Sequence, residues 1–400
     1  MASIVKRGNS FAVVYGYKNK EGVYKQKWET YHNEEHALKR KEELENPITT
    51  LRPSLKIDCF DDLLDEYIQL HGQLKWSYHT YDSRTRLCSC YIRPVLGKVS
   101  IARIDRHLLS RFFAGLKVNS LDSPTSITLF EIYKLLHSVF QQAAHWGYFQ
   151  ENLMSHIKLK APFYPQRKTL SPGEIACAIN YALAQQDLRF AILIHLAFSC
   201  SMRKGEILGL CWEDIDFANG TISVSKELAR VSKKGLDFLG TADVYHTYPC
   251  RTSSKSQLVL KAPKTNSSIR TVYMSSSLAV LLSKWKDRLC DFDADVSGPY
   301  HLVLTQDNGH PLCPRKCNRD YNALLSAAKL PETTFHSLRH SSTAYKLILS
   351  GGNIKAVQGD TGHAQPRMVL SIYAKVNDRD RRQMAEELES DFCSKLISYI

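Results

Sequence analysis

The apolar positions of this chain change period along its length, and each change marks an element. Ser10 to Tyr17 reads as a strand and Asn19 to Gly22 as a turn. Val23 to Tyr31 alternates as a second strand, with Tyr24, Gln26 and Trp28 on one face and Lys25, Lys27 and Glu29 on the other. Asn33 caps a charged helix over 34–45, with Ala37, Leu38 and Leu44 to pack on that sheet. A Pro- and Thr-bearing linker, 47–56, separates this module from a helical region over 57–160. There Phe60, Leu63, Leu64, Tyr67 and Ile68 share one helix face. A second helix covers Ser77 to Cys90, the run Tyr91 to Gly97 breaks it, and Arg106 to Leu116 and Ile127 to Trp146 supply two more.

Lys160 to Leu170 holds two prolines and three basic residues and reads as a second linker. Ser171-Pro172 then opens a helix as N-cap and first residue. Phe190 to Phe198 is almost wholly apolar, so that helix is buried all round. Thr221 to Lys226 is a strand, while the stretch of about 228–256 shows no period and reads as an inserted hairpin or loop. Gln257 to Ala262 and Ser268 to Met274 are expected to pair across a turn holding Lys264. A helix follows at 278–290, and then one starting near Arg315, whose Arg315, Lys316 and Arg319 crowd its N-terminal end. Cations there oppose the helix dipole, which a phosphate partner would offset. The last helix, 378–400, repeats Met384, Leu388, Phe392, Leu396 and Ile400 every four residues.

Composition narrows the function classes. The 400 residues carry Lys+Arg 53 against Asp+Glu 40, a net charge of +13. That excess favours a polyanion partner, although charge alone does not separate DNA from RNA or from an acidic membrane surface. The 11 cysteines are scattered without the paired spacing of a zinc site, which fits reduced thiols in the cytoplasm. The start has no apolar signal region, and no apolar run of about 18 residues occurs, so no membrane role is expected.

The chemistry concentrates between His336 and Tyr373. His336 and Arg339 are one helical turn apart, Gly351-Gly352 ends their helix, and a short helix from Asn353 leads to Thr361-Gly362-His363. Another short helix from Pro366 ends at Tyr373. Imidazoles, a guanidinium and a phenol on short, folded elements suit a phosphodiester: donors for its oxygens and an oxygen nucleophile for its phosphorus.

This stretch resembles the C-terminal signature of the tyrosine recombinase, or phage integrase, family: His-x-x-Arg, then Gly-His, then Tyr about ten residues later. It departs from that signature at Thr361, where the family usually has leucine, and Thr361 is expected to be a packing position. Arg203, in Arg-x-Gly-Glu followed by Leu210-Cys-Trp-Glu-Asp-Ile, is similar to the family's first catalytic arginine, and Lys264 to its turn lysine. The spaced set is more specific than any single motif.

The resemblance implies a multidomain fold: a small α+β N-terminal sheet domain (1–56) binding arm-type DNA sites, an all-α core-binding bundle (57–160), a linker (161–170) and a mainly α catalytic domain with a small antiparallel sheet (171–400). It implies Tyr373 as nucleophile, served by Arg203, Lys264, His336, Arg339 and His363, with no cofactor or metal. DNA contacts are expected at Lys25, Lys27, Lys75, His79, Thr80, Arg84, Arg86, Arg315, Lys316 and Arg319. The implied partners are double-stranded DNA at core and arm sites, a homo-tetramer on that DNA linked through C-terminal segments, and an accessory excisionase or DNA-bending protein. The activity is strand exchange that integrates and excises a mobile element. A type IB topoisomerase or a DNA-binding regulator without chemistry are the alternatives.

Overall fold

The computed structural model describes residues 3–7, 10–18, 24–31, 33–45, 57–116, 125–160, 162, 168–249, 253–291, 300–306, 309–363, 365–373 and 385–388. In chain order these form β1 (Ser3–Arg7), β2 (Ser10–Lys18), β3 (Tyr24–Tyr31), α1 (Glu34–Glu45), α2 (Phe60–Glu66), α3 (Gln73–Lys75), α4 (Tyr78–Leu87), α5 (Arg93–Leu96), α6 (Arg106–Gly115) and α7 (Thr125–His145). Then follow α8 (Pro172–Ala184), α9 (Leu188–Ser199), α10 (Lys204–Leu208), β4 (Ile215–Asp216), β5 (Thr221–Val224), β6 (Glu227–Ser232), α11 (Lys233–Leu239), β7 (Val244–Thr247), β8 (Ser256–Lys261) and β9 (Arg270–Tyr273). The described chain closes with α12 (Ser276–Asp291), α13 (Pro314–Ala327), α14 (Phe335–Leu349), α15 (Ile354–Thr361) and α16 (Pro366–Tyr373). No helix among the described residues is long and apolar enough to cross a membrane.

Two compact units result. One comprises Met1–Gly72 with Arg86–Ala161, the other Gln73–Thr85 with Pro162–Ile400.

In the first unit, β1, β2 and β3 form an antiparallel sheet in that order. The sequence pattern missed β1. Val13 and Ala37 are buried together with Phe11, Tyr15 and Tyr31 around them, while Trp28 is half-exposed and so is Leu38, expected to pack on the sheet. Glu29 sits on the face of Val13, its partner across the strands. Its carboxylate accepts from Tyr15 at 2.7 Å and Arg40 at 2.8 Å. Those donors draw the alternating charged face towards α1. The helical part of this unit is built on Phe60, Leu63, Leu64, Ile92, Leu96, Leu136 and Phe140, all at most 1% exposed. Pro94 does not break the helix expected to end near Cys90. The backbone passes through a wider turn at Cys88–Ile92 and continues as α5, which absorbs the N–H that proline lacks.

The second unit holds the larger core. α9 buries Ala191, Ile192, Leu193, Ile194, Leu196 and Ala197, as its unbroken apolar run requires. Ser171 caps α8, accepting from the Glu174 N–H at 3.3 Å while the Glu174 carboxylate accepts from the Ser171 N–H at 2.7 Å. The expected β8–β9 hairpin is not formed. β9 pairs with β5, in a sheet ordered β4-β5-β9, and β8 pairs with β6 and β7, in a sheet ordered β6-β8-β7. The stretch left unplaced by its sequence supplies the reason: it contributes β6, α11 and β7, which occupy both edges of β8. Lys264 therefore lies in a connection between two sheets. The segment 73–85 packs on this insertion, with Tyr78 donating to the Gly240 carbonyl at 2.8 Å and Ser232 to Asp82 at 2.5 Å. The 378–400 helix falls outside the described residues except for an exposed helical turn at 385–388.

Candidate active site

Four short elements of the second unit converge on the turn Thr361-Gly362-His363. α14 is stopped by Gly351 and Gly352, both at positive φ, and α15 starts with Asn353 accepting from the Ala356 N–H at 3.0 Å. α15 ends with Gly362 in the left-handed region, φ +65, where only glycine sits without strain. A Cβ there would lie 3.0 Å from the Ser267 carbonyl oxygen.

Two arginines clamp that turn. Arg203, at the start of α10, donates Nη2 to the Gly362 carbonyl at 3.0 Å and Nη1 to Ser268 Oγ at 3.1 Å and Glu206 Oε1 at 2.6 Å. Arg339 donates to the carbonyls of Thr361 and Ser201. The two differ in depth. Arg203 keeps 30% of its side chain exposed, whereas Arg339 is 2% exposed. The same helical turn that carries Arg339 inward leaves His336 exposed at the rim, its ring 4.7 Å from that of His340. Burial, and then the charge of Arg203, push the Arg339 guanidinium down to about 9, so it is still protonated at neutral pH.

Glu206 has a place in the site that its sequence motif alone did not reveal. It is 1% exposed. Burial pushes its carboxyl up, but Arg270 and Arg203 more than offset this and hold it below its ordinary value. It also accepts from the Arg203 backbone N–H at 2.8 Å, which fixes the residue at both ends. Lys264 is exposed. It lines a cleft of about 350 Å³ with Arg203, Ser268, His79 and Thr80. Residues far apart in sequence thus face one space.

Thr361 is more than a packing residue. It is fully buried, and its hydroxyl lies 2.7 Å from the Val357 carbonyl and 2.6 Å from His363 Nδ1. The single hydroxyl proton goes to the carbonyl, so Nδ1 carries the ring proton of a neutral His363 and Nε2 is left as an acceptor. Burial, then Arg339, Arg203, His340 and Arg270, push His363 down to about 3. An unfolded imidazole takes up its proton near 6.5. Between those values the unfolded chain binds more protons, so stability falls as pH drops below about 6.5. His363→Gln is expected to flatten that part of the pH dependence. Melting temperatures near neutral pH and near pH 5 measure it, and an equal drop in both proteins contradicts it.

The other expected DNA contacts fall in several surroundings. Lys75, His79, Arg86, Arg315, Lys316 and Arg319 are exposed, and Thr80 is half-buried. Arg84 lies over the Trp76 ring at 5.0 Å, an engagement that its position on a helix did not foretell. Lys27 is exposed and 3.0 Å from Glu29. The side chains of Lys25 and Tyr373 lie outside the described residues. The backbone of Tyr373 is the last residue of α16.

Residues 169–380, just over half of the chain, match the phage integrase family model. The tyrosine recombinase XerC-like protein of Caldanaerobacter subterraneus subsp. tengcongensis is 28% identical over 283 residues, 67% of each chain. The ICEBs1 integrase of Bacillus subtilis is 22% identical over 311 residues, 77% of each. Among solved structures, the Tn1549 transposon integrase in complex with transposon right end DNA superposes with a TM-score of 0.62 at 21% identity, over 82% of this chain and 99% of that one. A lambda integrase dimer bound to a COC' core site gives 0.53 at 16%, over 94% and 95%. The chain belongs to the phage integrase family and is a tyrosine site-specific recombinase.

Proposed function

We propose that Tyr373 attacks the scissile phosphorus of a core-site strand, forming a 3′-phosphotyrosine and releasing a 5′-hydroxyl. Lys264 gives the proton that the leaving 5′-oxygen takes up, and His336 accepts the proton that the phenol gives up. Arg203 turns its solvent-facing donors to the non-bridging oxygens. Arg339 gives two of its five N–H groups to the carbonyls of Ser201 and Thr361 and offers the others to the same oxygens. The phosphate's negative charge offsets the cations around His363, which lets that ring take a proton at Nε2 and donate it to the same oxygens. The diester energy is kept in the phosphotyrosine, and a 5′-hydroxyl from a second duplex reverses the step and exchanges strands.

The observation that carries this reading is the shared turn. Arg203 and Arg339 both bond to the backbone of residues 361–362, and Ser268 ties Arg203 to the turn of Lys264. The partner is double-stranded DNA, as in the Tn1549 and lambda integrase complexes. A homo-tetramer is supported by the lambda integrase tetramer bound to a Holliday junction, with integration and excision of a mobile element in the bacterial cytoplasm as the outcome and an accessory DNA-bending or excisionase protein setting direction. A plasmid carrying two copies of the element's own attachment site tests it. Recombinant circles are expected. Relaxation of supercoils without them would point to a topoisomerase, and binding alone to a regulator.

The domain reading adds a prediction. A fragment starting at about Ile57 is expected to cleave a core site at near-normal rate, yet to recombine full attachment sites poorly because the N-terminal sheet reads the arm sites. Footprints identical to those of the whole chain would remove DNA reading from that module.

A further inference from the structure

Arg270 is the first residue of β9, a short strand on the catalytic face. Alternation puts it on the same side as Val272, which is fully buried. Its side chain is 6% exposed. The guanidinium spans three acceptors from three separate segments. Nη2 donates to Glu206 Oε2 at 3.1 Å, Nη1 to the Ser268 carbonyl at 3.0 Å, and Nε to the Asp360 carbonyl at 3.0 Å.

Each acceptor leads to a residue already placed in the site. The second oxygen of Glu206 holds Arg203, so one buried carboxylate is shared between two guanidiniums. The hydroxyl of Ser268 accepts from Arg203 and lies 3.0 Å from that of Thr265, the neighbour of Lys264. Asp360 begins the turn to His363, and a Cβ on Gly362 would sit 3.1 Å from Arg270 Cδ, so the arginine also lies flat against that turn. Buried charges are costly to desolvate, and an apolar pair of similar volume would stabilise the fold as well. What the fork offers instead is geometry: three fixed directions from one planar group.

We propose that Arg270 is the positioning residue of this site: through Glu206, Ser268 and the 361–363 turn it fixes Arg203, and it does not itself touch DNA. This rests on the reading above, in which Arg203 and Lys264 act at the scissile phosphate.

Arg270→Lys keeps the charge, but one ammonium cannot span the three acceptors. In the full-length protein on its own nicked attachment-site oligonucleotide, DNA affinity is expected within about threefold of normal. Single-turnover cleavage at saturating DNA is expected to fall by about 10²-fold, the scale of a misplaced catalytic group. A double-mutant cycle with Arg203→Lys distinguishes positioning from general damage. If Arg270 acts through Arg203, the double variant cleaves within about threefold of Arg203→Lys alone, whereas independent losses multiply. Multiplied losses, or normal cleavage by Arg270→Lys beside slow Arg203→Lys, overturn the proposal while leaving the site reading intact. Normal cleavage by Arg203→Lys sinks the site reading and this proposal together. Should Arg270→Lys fail to fold, Ser268→Ala reads the same link by removing one hydroxyl: cleavage about 10-fold slower at unchanged affinity, with no further loss in the Arg203→Lys background. Loss there equal to that in the wild-type background overturns it.

Discussion

Tyr373→Phe is expected to bind site DNA within a few-fold of normal and to form no covalent adduct. The substitution removes one oxygen and keeps the ring, so the last turn of α16 is unchanged in shape. Losing a nucleophile slows an enzyme by about 10⁴-fold or more, which in an adduct assay reads as a blank lane. A phenol has a pKa near 10, so the position works only where cations lower the cost of the developing charge. The paired arginines and the neutral His363 are grouped at the 361–363 turn, which leads into α16. An adduct that persists in Tyr373→Phe moves the nucleophile elsewhere. Tyr345 is the nearest tyrosine in sequence, but it is half-buried and stacked on Phe198 at 5.9 Å, which leaves it poorly placed for attack.

Arg339→Lys and Arg203→Lys are expected to separate catalysis from stability. Both should lower cleavage by about 10²–10³-fold, the usual effect of losing a donor to a developing oxyanion. Only Arg339→Lys should also lower stability. It is buried and serves two carbonyls, Ser201 and Thr361. A single ammonium cannot reach both, and an unpaired buried carbonyl costs about 1–3 kcal/mol. Arg203 is partly exposed, so its lysine variant should melt near the normal temperature. Denaturant titrations alongside single-turnover cleavage give both readouts. Equal stability losses would mean that the difference in depth is not what governs the two residues.

The local parts of the fold were legible because local chemistry dictates them. Ser171 with Glu174, Asn353 and the glycines at 351, 352 and 362 set helix ends wherever they occur. The apolar run of α9 could only be a core helix. Three features were not legible, each for a long-range reason. β8 and β9 look like a hairpin because they are neighbours in sequence, yet an insertion more than ten residues upstream takes both edges of β8. Which face of β3 is covered is not marked within the strand, because Tyr15 and Arg40 claim Glu29 from other elements. Arg270 looks like a solvated strand residue, since nothing near it in sequence announces Glu206 or Asp360. For the site, residue types and spacing pointed to each candidate but not to its depth. Arg339 is sunk and His336 exposed although they are one turn apart. Thr361, read as packing, supplies the hydroxyl that sets the tautomer of His363.

Cleavage through Tyr373 is tested most directly on the covalent product itself. The wild-type protein should therefore be incubated with a nicked duplex of its own attachment site, in which the cleaved fragment diffuses away, and the covalent product digested and sequenced by mass spectrometry. A nucleotide on Tyr373, joined through a 3′-phosphate, is expected. No covalent product on the correct site, a nucleotide on any other residue, or a 5′-phosphate linkage would contradict it.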